Sequence, residues 1–534
     1  MKMVKSLVLG SAAALVAMGG AQAADLPVKA KAVEYVRICS LYGAGFWYIP
    51  GTDTCIKLGG YLRVDTTFNG SIYDQPAWSG DLGQRNRFFD NFASRSRMAL
   101  TVDTRTATEY GVVRTFGQAD FQFSTLGSST YNPSSINGTS PVGGTQLLDT
   151  AGGGYVAVEY AFVQFAGFTF GKSSSAYATP WNGYPGNNTS FLLGGHDTVT
   201  GVNNIQYTAQ FGNGVSGSIG LDDPTVFNRT VVTNLNLPLS ATGTPSNEYG
   251  GVLVPDIVGN IRVDQAWGLF QVSAAAHEVN ASYNILNGSA NPLGGVFGSA
   301  APAGATGLAS GQAIGLSEIS GHPDSKWGGS VMAALQVKNL PTGAGDDIKM
   351  DASWAMGDTK NVISTSSASP TFTMFGGSNR GYQSVGFGAT TDAVYLPVLN
   401  GGDGTLHLTQ AWGFRGAFNH NWDPYWSTSL FGSASGVRYD GTAKAGICAF
   451  YTAGKVVSAD YSCNPDYNVY QVGVVTRWTP VKNLTFSAEV QYFRLDQKFT
   501  GTAVLTPTAP KPTAIYEYKD QDTVALNVRV QRNF

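Results

Sequence analysis

The chain has 534 residues, 33 Lys and Arg against 36 Asp and Glu, and a formal net charge of −3. That balance excludes the basic footprint of a nucleic-acid binder. Charged residues are 13% of the chain, against roughly 25% in soluble domains, and 67 glycines stand well above the ~7% norm.

The mean hydropathy is nevertheless −0.06. Beyond the N-terminal stretch no segment approaches the ~18 apolar residues of a membrane-crossing helix. Low charge without apolar helices suits a barrel, where only alternate side chains of each strand meet lipid. The expected fold is therefore all-β, a transmembrane antiparallel barrel with short periplasmic turns and long extracellular loops.

At the start, Lys2 and Lys5 precede an apolar run from Ser6 to Met18, and Ala21 and Ala23 form a cleavage signature. This reads as a secretory signal peptide over residues 1–23. Residues 24–54 read as a short periplasmic segment, and residues 55–534 as the barrel. In the first strand, Ile56, Leu58, Leu62 and Val64 alternate with Lys57, Tyr61, Arg63 and Asp65, interrupted at Gly59 and Gly60.

Short turns are then expected at 103–108, 166–167, 212–214, 267–268, 339–346, 422–425 and 480–483. Gly212, Asn213 and Gly214 give the strongest hairpin signal among them. Those hairpins, with a first and a last strand, make about sixteen strands. In the last strand Val524, Leu526, Val528, Val530 and Phe534 share one face, and Asn527 and Arg529 the other. An open apolar edge there invites aggregation, so closure onto the first strand is expected.

Trp267, Trp422, Tyr425, Trp426, Trp478 and Phe534 cluster at short turns or the terminus, as an interfacial girdle would. The long connections span 69–93, 124–153, 172–200, 223–255, 280–325, 359–403, 441–466 and 499–521.

The four cysteines are Cys39, Cys55, Cys448 and Cys463. Their spacing suggests two local disulfides in an oxidising compartment, although four cysteines permit three connectivities. No metal site is expected, since there is no C-x2-C and the five histidines are scattered. No catalytic constellation or cofactor motif is present in the sequence either.

The distinctive chemistry is charge on the polar strand faces. Arg at the lipid midplane costs about 2–4 kcal/mol, so these side chains are expected to face the lumen. Most would be balanced by neighbouring carboxylates. Arg63, Arg97 and Arg114, on early strands, and Arg529, on the last, are candidates for a basic pore wall.

The segment from Arg37 to Arg63, reading RICSLYGAGFWYIPGTDTCIKLGGYLR, resembles the opening of alphaproteobacterial general porins. The Cys448/Cys463 loop and terminal Phe534 are similar to that family too. The resemblance implies a homotrimer of sixteen-stranded barrels in the bacterial outer membrane, among lipopolysaccharide, passing small hydrophilic solutes and ions. It implies that residues 172–200 fold inward as a constriction loop, carrying Tyr177, Trp181, Tyr184, His196 and Asp197. It also implies that Phe534 belongs to a signal read by the barrel-assembly machinery.

One departure bears on selectivity. Constriction loops in that family commonly carry several carboxylates, whereas this loop offers only Asp197. A neutral to mildly anion-preferring passage follows. The rival reading is a substrate-selective channel or surface ligand-binder that uses the long loops at 280–325 and 359–403.

Overall fold

The computed structural model describes residues 37–70, 92–124, 155–181, 183–196, 200–225, 230–235, 249–282, 322–363, 371–396, 402–507 and 511–534. The expected signal peptide and most of the 280–325 connection lie outside these residues. The chain divides into two compact units, one ending at Ile56 and the other running from Lys57 to Phe534.

In the first unit a disulfide joins Cys39 to Cys55. It closes a small turn in which Trp47 pairs with Ile56, and Tyr48 with Cys55. Cys39, Cys55 and Phe46 are buried together, with Tyr42 and Tyr48 packed against them.

The second unit is built on an antiparallel barrel whose first strand, β1 (Thr54–Phe68), begins just before it. Then come β2 (Phe92–Thr108), β3 (Gly111–Ser124), β4 (Tyr155–Phe165) and β5 (Phe168–Ser173). β6 (Val202–Gly212), β7 (Val215–Asp222), β8 (Asp256–Gln265) and β9 (Gly268–Val279) follow. β10 (Lys326–Lys338), β11 (Asp347–Met356), β12 (Gln410–Asn421) and β13 (Trp426–Arg438) continue the ring. β14 (Tyr467–Val481), β15 (Leu484–Gln497) and β16 (Gln521–Asn533) complete it.

Each strand pairs with its chain neighbours, and β16 pairs back onto β1 from Tyr61↔Asn533 to Phe68↔Leu526. The ring is thus closed at sixteen strands and has no open edge. The expected alternation holds along the seam. Leu62, Val64, Val524 and Val528 are exposed on the outer face, while Asp65, Thr67, Asn527 and Arg529 are buried inside. All six girdle aromatics are exposed, Trp422 to 65% and Phe534 to 60%. Tryptophans filling a soluble core would not be.

Three expectations need correction. The first hairpin does not turn at 103–108: its ladder continues to Thr108↔Gly111, because Asp103 and Arg105 face inward and pair there. The strand expected to follow the 359–403 connection starts only at Gln410. Leu406–Leu408 instead joins Thr391–Tyr395 and Val231–Asn234 in a separate three-stranded sheet. Most consequentially, the inner face is not polar throughout. Near the long-loop ends of β11–β15 the buried positions Ala355, Ala411, Val437, Val469, Phe493 and Leu495 are apolar.

Those positions carry a dry core. Val362, Ile363, Phe372, Met374 and Val394 from the long loops pack on them, together with Ala443 and Ile447. The last two belong to α1 (Gly441–Thr452), whose N-terminus is capped by the Asp440 side chain accepting from the Ala443 amide. A second disulfide, Cys448–Cys463, ties α1 to the following segment. Phe372–Gly376, Gln383–Gly388, Thr502–Leu505 and Ala514–Tyr518 form a four-stranded sheet beside it. The described parts of the connections at 359–403, 441–466 and 499–521 are thus packed structure.

Candidate functional site

The connection between β5 and β6 folds into the barrel, and its attachments explain why it stays there. Tyr177 and Trp181 bury their rings with Val258, Met332 and Ala334 of the wall. Leu192 is fully buried against Ala417, Phe431 and Val475. Burying such a side chain contributes about 1.5–3 kcal/mol.

Polar staples finish the docking, because a loop without a ladder of its own must bond its backbone elsewhere. Gln471 grips both sides, accepting from the Leu193 amide at 2.8 Å and donating to the Phe191 carbonyl at 2.8 Å. Arg415 donates to the His196 carbonyl at 3.0 Å while paired with buried Asp351, also at 3.0 Å. Glu489 accepts from the Asn188 amide, and Asn188 donates to Ser487 at 2.8 Å. Arg477 donates to the Gly186 carbonyl at 2.6 Å, and Arg529 to the Asn188 carbonyl at 2.8 Å.

The loop is held by the later strands, and the space left for water lies where the early strands meet the last three of the ring. A cavity of about 640 Å³ separates the loop from a wall made by β1–β5 and β14–β16. Arg63, Arg95, Arg97, Lys172, Arg477 and Arg529 line it, against two carboxylates, Asp120 and Glu159. On the loop side Tyr184, Asn187, Asn188, Thr189 and Ser190 face it, all uncharged.

Within that wall the charges are ordered by pairing. Arg95 and Asp65 form a two-pronged pair with contacts of 2.9 to 3.2 Å, both side chains almost fully buried. Arg97 donates to Asp120 and to Gln122, each at 2.7 Å, and lies 3.7 Å from Glu159. Arg63 donates to Gln531 at 2.8 Å and covers the Tyr61 ring at 4.5 Å. It forms no ion pair among the described residues, in contrast to Arg95 and Arg97.

Glu159 is inward because of a bulge. Gln118 pairs with Tyr160 but Ala119 pairs with Val158, leaving Glu159 as an extra residue on β4. Both Glu159 and its neighbour Tyr160 therefore line the lumen. Strict alternation would have turned one of them out to lipid.

Of the expected wall residues, Arg63, Arg97 and Arg529 meet at this cavity. Arg114 does not. It sits nearer the short turns, gripped by Asp103 through two 3.0 Å bonds and by Gln164 at 2.9 Å. Of the expected loop residues only Tyr184 faces the cavity. Tyr177 is buried, Trp181 borders a second space, and His196 is buried with Nδ1 2.7 Å from the Asn361 carboxamide oxygen. Asp197 lies outside the described residues. The residues that sequence reasoning passed over are Lys172 and Glu159. Lys172 was read as loop, although it belongs to β5 and pairs with Ala161 of β4.

A sequence profile described as a porin subfamily matches residues 25–527. The chain belongs to the porin family. It is similar to porin Omp2b of Brucella canis, 33% identical over 311 residues covering 56% of this chain and 75% of the relative. Omp2b of Brucella abortus is similar at 32% over 314 residues, with the same coverage of both chains. The fold is similar to that of the outer membrane channel DcaP of Acinetobacter baumannii, with a TM-score of 0.54 at 14% identity. That alignment covers 91% of this chain and 99% of the other.

The porin is accordingly a channel protein of the outer membrane. Its apolar outer face and exposed girdle suit lipid, and its ladder leaves no barrel edge unpaired. Family membership points to a channel rather than an enzyme.

Proposed function

We propose that the porin passes small hydrophilic solutes and ions by passive diffusion, and that its narrowest point is the cavity between the docked loop and the wall of β1–β5 and β14–β16. Arg63, Arg97 and Arg529 act as the basic wall there, joined by Lys172 and Arg477. Arg114 is assigned a different role, bracing Asp103 below the constriction. Residues 1–23 serve as the export signal, and Phe534 contributes to recognition by the assembly machinery. The working form is a homotrimer embedded beside lipopolysaccharide.

The observation that carries the reading is the charge of the lining: six cationic side chains against two carboxylates. Both carboxylates lie on the same wall as the arginines, and the described loop residues that line the cavity opposite carry no charge. The passage therefore presents a positive patch facing uncharged dipoles, not a basic wall facing an acidic one. Such a patch raises the local concentration of anions.

Planar-bilayer recording in a salt gradient tests this directly. The reversal potential is expected to have the sign of anion preference, with conductance appearing in groups of three steps. Clear cation preference would refute the assignment of the wall.

A further inference from the structure

Aromatic rings on the inner wall of a wet barrel need a reason, since apolar area left in water forfeits about 25 cal/mol per Å². Phe116 on β3, with Tyr160 and Phe162 on β4, point inward below the basic wall. Their strand neighbours Phe121 and Val163 are exposed on the outer face, so the inward set is not a slip of register. Phe116 and Phe162 stack with centroids 5.3 Å apart, and Tyr160 meets Phe116 edge-on at 6.3 Å. Tyr160 shares the inward face of Phe162, two residues on, and completes the group.

These rings border a second cavity, of about 890 Å³, in the size range of small-molecule sites. Trp181 of the docked loop lines it, and so do Gln206, Asn260 and Gln271. Arg262 and Asp264 are the only charged side chains of its described lining, and they pair with each other at 3.3 Å. The space is thus electrically neutral where the one above it is strongly positive. Gln118 and Tyr160 line both, so the two cavities adjoin.

We propose that this lower cavity is a binding subsite for neutral carbohydrate, on the scale of a mono- or disaccharide. A pyranose has a face of polarised C–H bonds and a rim of hydroxyls. Ring faces carry negative potential that attracts such C–H groups. Carboxamides offer a donor and an acceptor to each hydroxyl, which is itself both. An aromatic anion suits the rings, but the one cation of the described lining, Arg262, is already paired with Asp264. Arg114, 5.2 Å from the Phe116 ring, is already committed to Asp103.

The proposal rests on the open passage argued above, and the test separates the two. Single-channel current through the purified porin is recorded against rising maltose, with a polyethylene glycol of similar radius and benzoate as controls. Maltose is expected to block saturably in the millimolar range, while the glycol lowers current only in proportion to viscosity. Phe162→Leu keeps apolar volume and removes the ring face. It should raise the half-blocking concentration at least fivefold, and Phe116→Ser should do the same in a second background. Ion current in the same records shows that each barrel has assembled. A conducting channel on which maltose acts without saturation overturns the subsite. So does block insensitive to both substitutions, or saturable block by benzoate alone. Absence of any conductance in the parent protein would instead overturn the channel reading.

Discussion

Gly60 and Phe534 lock the seam of the barrel: the Gly60 amide donates to the Phe534 carbonyl at 3.2 Å, and the Phe534 amide returns to the Gly60 carbonyl at 3.1 Å. Gly60 has φ +152, and a Cβ there would fall 2.0 Å from the Ala99 carbonyl oxygen. The last strand therefore docks where the first can carry no side chain. Gly60→Ala must displace the backbone of β2 or open the seam, at about 1–3 kcal/mol for overpacking. The expected result is a lower midpoint for loss of the folded band on heated electrophoresis, and unchanged mobility at all temperatures would contradict it.

Arg63 lacks a carboxylate partner among the described residues, so its neutralisation should be felt by permeating ions more than that of Arg95. One charge about 4 Å away in water is worth about 1 kcal/mol, which caps the effect near fivefold. Arg63→Gln should reduce the anion-to-cation permeability ratio by roughly twofold to fivefold. Asp120→Asn should raise it. Reversal potentials read both, and a shift in the same direction for the two would count against the wall.

Arg415 holds the His196 carbonyl and is itself neutralised by Asp351, both being fully buried. Removing one member of a buried pair costs about 3–5 kcal/mol. Arg415→Ala should loosen the downstream limb of the loop and increase single-channel conductance with larger current noise. The compensated pair Arg415→Met with Asp351→Leu leaves no charge stranded. It should keep the folded yield while still removing the staple, so its conductance separates anchoring from folding.

Cys448–Cys463 closes a segment with a sequence separation of 15 residues, and a loop of that size is stabilised by about 3 kcal/mol. Replacing both cysteines with serine should expose the α1 region to external protease. The barrel ladder does not depend on this bond, so ion conductance should survive. Loss of the whole barrel would show that the long-loop core and the wall fold as one unit.

The ring of strands was legible because its cause is local. Leu62, Val64, Val524 and Val528 face out and Asp65, Asn527 and Arg529 face in for the plain reason that strand side chains alternate. The hairpin at Gly212, Asn213 and Gly214 was equally legible, since all three adopt positive φ. What stayed hidden had a non-local cause. The inward turn of Glu159 depends on one bulged pairing with β3. α1 carried a visible signal in Asp440 ahead of an alanine-rich run, but its stability comes from packing on distant loops.

The amino-acid sequence by itself determined a lipid-facing, closed, antiparallel ring, the position of its short turns after the first, and the inward placement of its arginines. These follow from period, turn chemistry and the cost of charge in hydrocarbon. Tertiary structure alone decided which of those arginines meet, that the loop is bound to the later strands, and that part of the lumen is filled by a dry core. Those outcomes depend on contacts between residues hundreds of positions apart, such as Asn188 with Glu489, whose Coulomb and hydrogen-bond terms exist only once the ring has closed.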